Sequence, residues 1–273
     1  MRAASILRSV TRPERWLRSA PTIVRKVCGR RPLNRIVCWR VAHAASAVAL
    51  TFDDGPANST TPIVLEILAQ HGARATFFVV GDRVEASPNI TRRAVADGHE
   101  IGNHSYSHRP VRNAREVQDC DTVLRTLSLE TRYFRPPGGR IRLSAFVRLS
   151  LAGHTTVFWS FDSRDSLRAE GKAPDVLPDY ERVKSGDIVL MHDDNQRCVG
   201  ELPDLLRILR AKNIQPVTLS TLLGIRQAPG RMTSLASPAS IGAPRELAAL
   251  PPDLPTGAPM RQEASRPDYR APT

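Results

Sequence analysis

The chain has 273 residues, 41% of them hydrophobic and 24% charged, the balance of an ordinary globular protein of one large or two small domains. No stretch reaches the roughly 18 apolar residues that span a bilayer, and four cysteines (Cys28, Cys38, Cys120 and Cys198) without a CxxC pair argue against a disulfide scaffold and a cysteine zinc site. The net charge of +12 is concentrated in residues 1–47, which hold ten Arg, one Lys and one Glu, so the nearly neutral remainder is weak ground for nucleic-acid binding.

Residues 1–46 read as a basic, disordered arm. They lack the uninterrupted apolar run of ~7–15 residues that a signal peptide needs. Cytoplasm is therefore the default expected location, with a secreted or envelope-associated one as the alternative. An Arg-rich, acid-poor arm is also a contact for phosphates or anionic lipid. Residues 226–273 contain nine Pro, with much Ala and Ser and no periodicity, and read as a disordered tail. The folded body is expected over residues 47–225.

Within that body short apolar runs alternate with amphipathic segments. Strands are expected at Ala47–Thr51, Ala75–Val80, His99–Asn103, Tyr133–Arg135, Thr155–Phe161, Asp187–Met191 and Gln215–Leu219. Helices are expected at Pro62–Gln70, Pro88–Ala96, Ala114–Leu129, Leu143–Leu151, Pro174–Lys184 and Leu202–Lys212. Strand–helix alternation with apolar strands implies a parallel sheet covered by helices. About seven such units predict an α/β fold, a small or distorted (β/α) barrel. An open doubly wound sheet is the alternative.

Five polar clusters lie at or just after predicted strand ends, where parallel α/β folds carry their active sites. In Thr51-Phe52-Asp53-Asp54-Gly55-Pro56 two adjacent carboxylates repel unless something neutralises them. A metal ion would do so through one carboxylate and leave the other free as a base; a plain Asx-type turn is the competing reading. In His104-Ser105-Tyr106-Ser107-His108 the His-x3-His spacing places both rings on one side of a helical turn, able to share a metal. Together the two clusters offer Asp54, His104 and His108. Two imidazoles and a carboxylate suit zinc or another first-row divalent ion, cobalt or nickel included. Three protein ligands leave a position for water, and Asp53 is left beside it as a general base.

The third cluster, Arg135-Pro136-Pro137-Gly138-Gly139, joins an Arg able to grip a carboxylate to a stiff turn able to bring a backbone N–H near a substrate. The fourth, Asp162-Ser163-Arg164-Asp165, begins with a carboxylate expected to be partly buried and in need of a partner, or to cap a helix. The fifth places His192 at the end of the apolar run Ile188–Met191. Beside a carboxylate such as Asp162 its pKa would rise, fitting it to act as an acid. A satisfied core histidine is the competing reading.

The order of these five motifs, TFDDGP, NHSYSH, RPPGG, DSRD and IVLMHD, resembles the polysaccharide deacetylases, the NodB-homology group of carbohydrate esterase family four. The resemblance spans about 140 residues and leaves out both ends of the chain. It implies a distorted barrel and one divalent metal, commonly zinc. It implies a carbohydrate deacetylase acting on N-acetylglucosamine-containing oligo- or polysaccharide, of the chitooligosaccharide or peptidoglycan type. An O-acetyl esterase on acetylated polysaccharide and a non-catalytic sugar-binding protein on the same fold are the alternatives. By position, it implies Asp53 as base, Asp54, His104 and His108 as metal ligands, and His192 as acid. It further implies Arg135 orienting Asp53, Asp162 tuning His192, and Leu190, Pro137 and the Gly138 N–H against the acetyl group. Two positions depart from the family pattern: Gly138 stands where an aromatic is usual, and Ser166 where Trp is usual.

Overall fold

The computed structural model describes residues 36–42, 44 and 46–224. Most of the expected basic arm and all of the expected Pro-rich tail lie outside the described residues. The elements run in chain order as β1 (Val37–Cys38), β2 (Ala47–Asp53), α1 (Thr61–Gln70), β3 (Thr76–Val79), α2 (Gly81–Ala86), α3 (Pro88–Ala96), β4 (Glu100–Asn103), α4 (Arg115–Thr126) and β5 (Tyr133–Phe134). They continue as a 3-10 turn (Pro137–Gly139), α5 (Leu143–Leu151), β6 (Thr155–Val157), β7 (Phe161–Asp162), α6 (Asp165–Ala169), a second 3-10 turn (Tyr180–Arg182), β8 (Ile188–His192), α7 (Gln196–Ala211), β9 (Gln215–Val217) and α8 (Leu219–Leu222).

Among the described residues nine strands form one sheet in the order β1-β6-β5-β4-β3-β2-β8-β7, with β9 on the first half of β2. Every pairing of named strands is parallel. The sheet curls into an open half-barrel, the distorted barrel that the alternation predicts. The centre is β2, whose Val48, Leu50 and Phe52 are fully buried. They pack on Val64, Leu65 and Leu68 of α1 and Leu202, Leu205 and Leu209 of α7. Ala49 instead joins Phe78, Tyr133, Val157 and Ile188 on the concave side. The two-residue period of a strand makes this division. It therefore assigns Thr51 and Asp53, and Leu190 and His192 of β8, to the concave face. Each fully buried Leu or Phe contributes about 1.5–3 kcal/mol.

Four expectations are corrected. The sheet takes in Val37–Cys38, inside the segment read as an arm, because β1 completes one end of the sheet against β6. The expected strand Thr155–Phe161 is two strands: β6 pairs with β1 and β5, whereas β7 pairs with β8 at the other end of the sheet. An apolar run reports burial but not which neighbours provide it. The expected helix Pro174–Lys184 is irregular but for one 3-10 turn. Its Val176 and Leu177 are 71% and 62% exposed, only Tyr180 and Val183 near its end reach the core, and Pro178 interrupts it, so no continuous buried stripe holds a helix. Finally, α7 starts at Gln196, where the Asn195 side chain accepts the Cys198 N–H, and it carries Pro203 within it rather than at its first turn.

Between the two ends of the sheet lies a cavity of about 1210 Å³, lined among others by Trp39, Trp159, Phe161, Asp162 and Arg164.

Candidate active site

Asp53 ends β2 and is the register partner of His192, which ends β8. Neighbouring strands in a sheet are about 4.8 Å apart, so a carboxylate and an imidazole share one wall of the concave face. His104 follows β4 directly and Arg135 follows β5 directly. The motifs thus converge because parallel strands all end on the same side.

The TFDDGP turn separates its two carboxylates. Asp54 adopts a left-handed conformation, φ 75°, which directs its side chain away from that of its neighbour. Such a conformation costs about 1–3 kcal/mol and persists where surrounding contacts enforce it. Asp53 Oδ1 accepts a 2.7 Å bond from Arg135 Nη1, and the same nitrogen donates to Thr51 Oγ1 at 2.9 Å. The Arg135 guanidinium is fully buried, lies 4.2 Å from the centre of the Phe78 ring, and also donates to the Phe158 carbonyl at 3.3 Å. Burial pulls its pKa down, and the Asp53 charge opposes that shift. A guanidinium in this setting stays charged, so the pair is a buried ion pair.

Gly55 has a steric reason to be glycine. A Cβ there would stand 2.1 Å from the Asp193 carboxylate, which is itself buried and held by Thr61 Oγ1. Burial pushes Asp193 up to about 7. Gly55→Ala is expected to destabilise the protein by roughly 1–3 kcal/mol, the cost of overpacking. A thermal unfolding midpoint equal to that of wild type would refute this account of the turn.

Asp54 Oδ1 faces His108 Nε2 at 2.9 Å and His104 Nε2 at 3.3 Å. His104 Nδ1 lies 2.8 Å from the Arg135 carbonyl, which assigns the ring N–H to Nδ1. Its Nε2 then presents a lone pair to the oxygens of Asp54 and, at 3.7 Å, Asp53. Asp54 Oδ1 is buried and has no hydrogen bond of acceptable geometry. Burial works to raise the Asp54 pKa, yet the two imidazoles, in their protonated forms, hold it well below the usual carboxylate value. For His108 burial lowers the pKa, but Asp54 outweighs it and the value lies above the usual one. The donor atoms of Asp54, His104 and His108 all lie within 4.8 Å of one another. A lone pair aimed at an orphaned buried oxygen is a poor contact by itself and a good one around a divalent cation. The three residues therefore fit the metal that their types suggest. Asn103 braces the turn between the histidines: its Oδ1 accepts the Ser105 N–H and its Nδ2 donates to the Val117 carbonyl.

His192 contradicts one sequence expectation. The carboxylate on its Nδ1 is Asp165, at 2.8 Å, not Asp162. Asp165 Oδ2 also accepts the His192 backbone N–H at 2.8 Å, and Oδ1 accepts from Ser163 Oγ at 2.7 Å. Asp162 Oδ1 instead accepts the Arg164 backbone N–H. The reason is local geometry. Asp162 is still in β7, paired with Leu190, whereas the left-handed residue Arg164 turns the chain so that Asp165 opens α6 facing His192. The DSRD motif held both candidates, and the strand-end argument selected the wrong one. Burial alone would lower the His192 pKa, but the bond to Asp165 and its charge raise it to about 10. Burial alone would raise Asp165, and His192 brings it below the usual value.

The remaining predicted residues are close by. Leu190 is buried two residues before His192 on the same strand face. Pro137 is buried in the turn after Arg135, and Gly138 is exposed at φ 57° with nothing within 4 Å of the position a Cβ would take. The space that an aromatic side chain would fill there is open.

The sequence model of a family described as polysaccharide deacetylase matches residues 40–157. A peptidoglycan-N-acetylglucosamine deacetylase of Bacillus cereus is 37% identical over 198 residues, 68% of this chain and 92% of that protein. A chitooligosaccharide deacetylase of Bradyrhizobium sp. is 37% identical over 155 residues, 54% of this chain and 70% of that protein. A solved peptidoglycan N-acetylglucosamine deacetylase superposes with a TM-score of 0.63 at 29% identity, covering 70% of this chain and 94% of that one.

Proposed function

The chain belongs to the polysaccharide deacetylase family, and from that premise we propose that it hydrolyses acetyl groups from N-acetylglucosamine-containing glycans of the peptidoglycan or chitooligosaccharide type. The observation that carries the reading is the convergence of a three-donor ligand set with a braced carboxylate and a carboxylate-paired histidine at one end of one sheet.

Asp54, His104 and His108 would hold the divalent ion, zinc in the first place. Once bound, it supplies Lewis-acid polarisation of a water and of the acyl carbonyl. Asp53 takes the proton of the attacking water. Its Oδ1 is committed to Arg135, so Oδ2, on the side of His104, is the oxygen free for the task. The Gly138 N–H is the donor offered to the tetrahedral oxyanion. His192, with Nδ1 held by Asp165, gives the proton on Nε2 to the departing amine nitrogen, and acetate leaves. An amide needs this proton because an unprotonated amine is a very poor leaving group. Leu190, on the face that carries His192, lines the space for the acetyl methyl.

Acetate release from N-acetylglucosamine oligomers and from peptidoglycan tests the reading. Release is expected to disappear after chelation and to return with zinc or cobalt. Protein carrying stoichiometric metal that frees no acetate from either glycan would overturn it.

A further inference from the structure

Residues 131–161 contain five Arg and no Asp or Glu. Arg135 of these is buried in the site, while Arg140, Arg142 and Arg148 are exposed. The backbone brings two more cations beside them. Val111 bridges Ile141, and the Arg142 N–H donates to the Val111 carbonyl, so the exposed Arg109 and Arg112 flank the start of α5. None of these five exposed Arg forms an ion pair among the described residues.

Amid these cations α5 presents an unusual outer face. Its inner residues Ala145 and Leu149 pack with Val111, Val117 and Phe134. Its outer residues Leu143, Val147 and Leu151, spaced i, i+4, i+8, are 65%, 46% and 84% exposed. On a helix this spacing forms one continuous apolar row. We propose that this row and its rim of Arg are a docking surface for an anionic lipid membrane, with the aliphatic side chains entering the headgroup boundary and the guanidiniums on the lipid phosphates.

Charge selects this occupant. A second copy of the chain would bring the same five cations to the interface. Residues 1–47, net +10, are repelled in the same way. The row is aliphatic, with no exposed aromatic for stacking on bases, which suits acyl chains over nucleic acid. Arg109 follows His108 directly and Arg140 comes two residues after Gly138, so docking would set the mouth of the site at the membrane surface.

Full-length protein should sediment with phosphatidylcholine vesicles containing phosphatidylglycerol and not with phosphatidylcholine alone. Added salt should weaken this binding. The triple variant Leu143→Ser, Val147→Ser, Leu151→Ser should lose about tenfold or more in vesicle partitioning while it keeps its circular dichroism and acetate release. A separate Leu151→Trp variant should gain a blue-shifted fluorescence component on anionic vesicles. Partitioning of the triple variant equal to wild type would overturn the proposal and assign binding to the residue 1–47 segment alone. It would equally fall if Leu151→Trp showed no shift, or if light scattering showed a dimer that the triple variant abolishes.

Discussion

Asp53→Asn is expected to lower the rate of acetyl hydrolysis by about 10²–10⁴-fold, the usual contribution of a general base. The amide keeps the shape of the carboxylate and still offers an oxygen to Arg135 Nη1, now 2.7 Å from Asp53 Oδ1. It cannot take a proton from water. The ligand set of Asp54, His104 and His108 is untouched, so zinc stoichiometry should equal that of wild type. The variant has a second consequence. Arg135 is fully buried and its charge would lose its counter-ion. Breaking a buried pair in this way costs about 3–5 kcal/mol, so a lowered unfolding midpoint should accompany the lost activity. Folded, zinc-loaded Asp53→Asn that turned over at the wild-type rate would remove Asp53 from the base role.

Asp165→Asn is expected to cost about 10²-fold in rate and to move the alkaline side of the pH profile. In the proposed acid role the active form of His192 is protonated, so activity should hold below its pKa and fall as pH rises through it. Asp165 raises that pKa to about 10. The nearby carboxylates of Asp54 and Asp53 contribute to the rise, and a cation on Asp54 would cancel part of it. The alkaline limb of the wild type should therefore lie between the ordinary histidine value of about 6.5 and the metal-free figure. With Asn at 165 the limb should shift toward lower pH. Asp162→Asn is the control. Its carboxylate bonds the Arg164 backbone rather than His192, so it should leave the limb in place. A limb moved by Asp162→Asn and not by Asp165→Asn would restore the assignment that the motif alone suggested.

That reversal illustrates how far the sequence reaches. The residue types and their local spacing are legible in it. Adjacent Asp53 and Asp54 in a Gly-Pro turn, His104 and His108 four apart, and Arg135 before a proline–glycine turn each declare a chemistry within a few residues. The structure brings the donor atoms of Asp54, His104 and His108 within 4.8 Å, but through an irregular segment with Ser105 and His108 left-handed rather than the helical turn that the spacing suggested. The alternation of apolar runs and amphipathic segments also leads to a parallel sheet with its functional residues at one end.

Other features depend on contacts between distant parts of the chain. The run Thr155–Phe161 reads as one strand, yet its halves pair with β5 and β8 at opposite ends of the sheet. Asp165 rather than Asp162 meets His192 because a left-handed residue at Arg164 re-aims the chain between them. Gly55 must be glycine because Asp193, far along the sequence, lies against it. By itself the sequence determined which side chains are apolar, which are charged and which chemistry they can perform, because hydrophobicity and ionisation belong to each residue and its near neighbours. Only the tertiary structure decided which carboxylate serves which base, where the strand run divides and which apolar row stays exposed. Those depend on strand register and packing between remote segments, and a hydrophobic pattern specifies that a residue is covered without specifying by what.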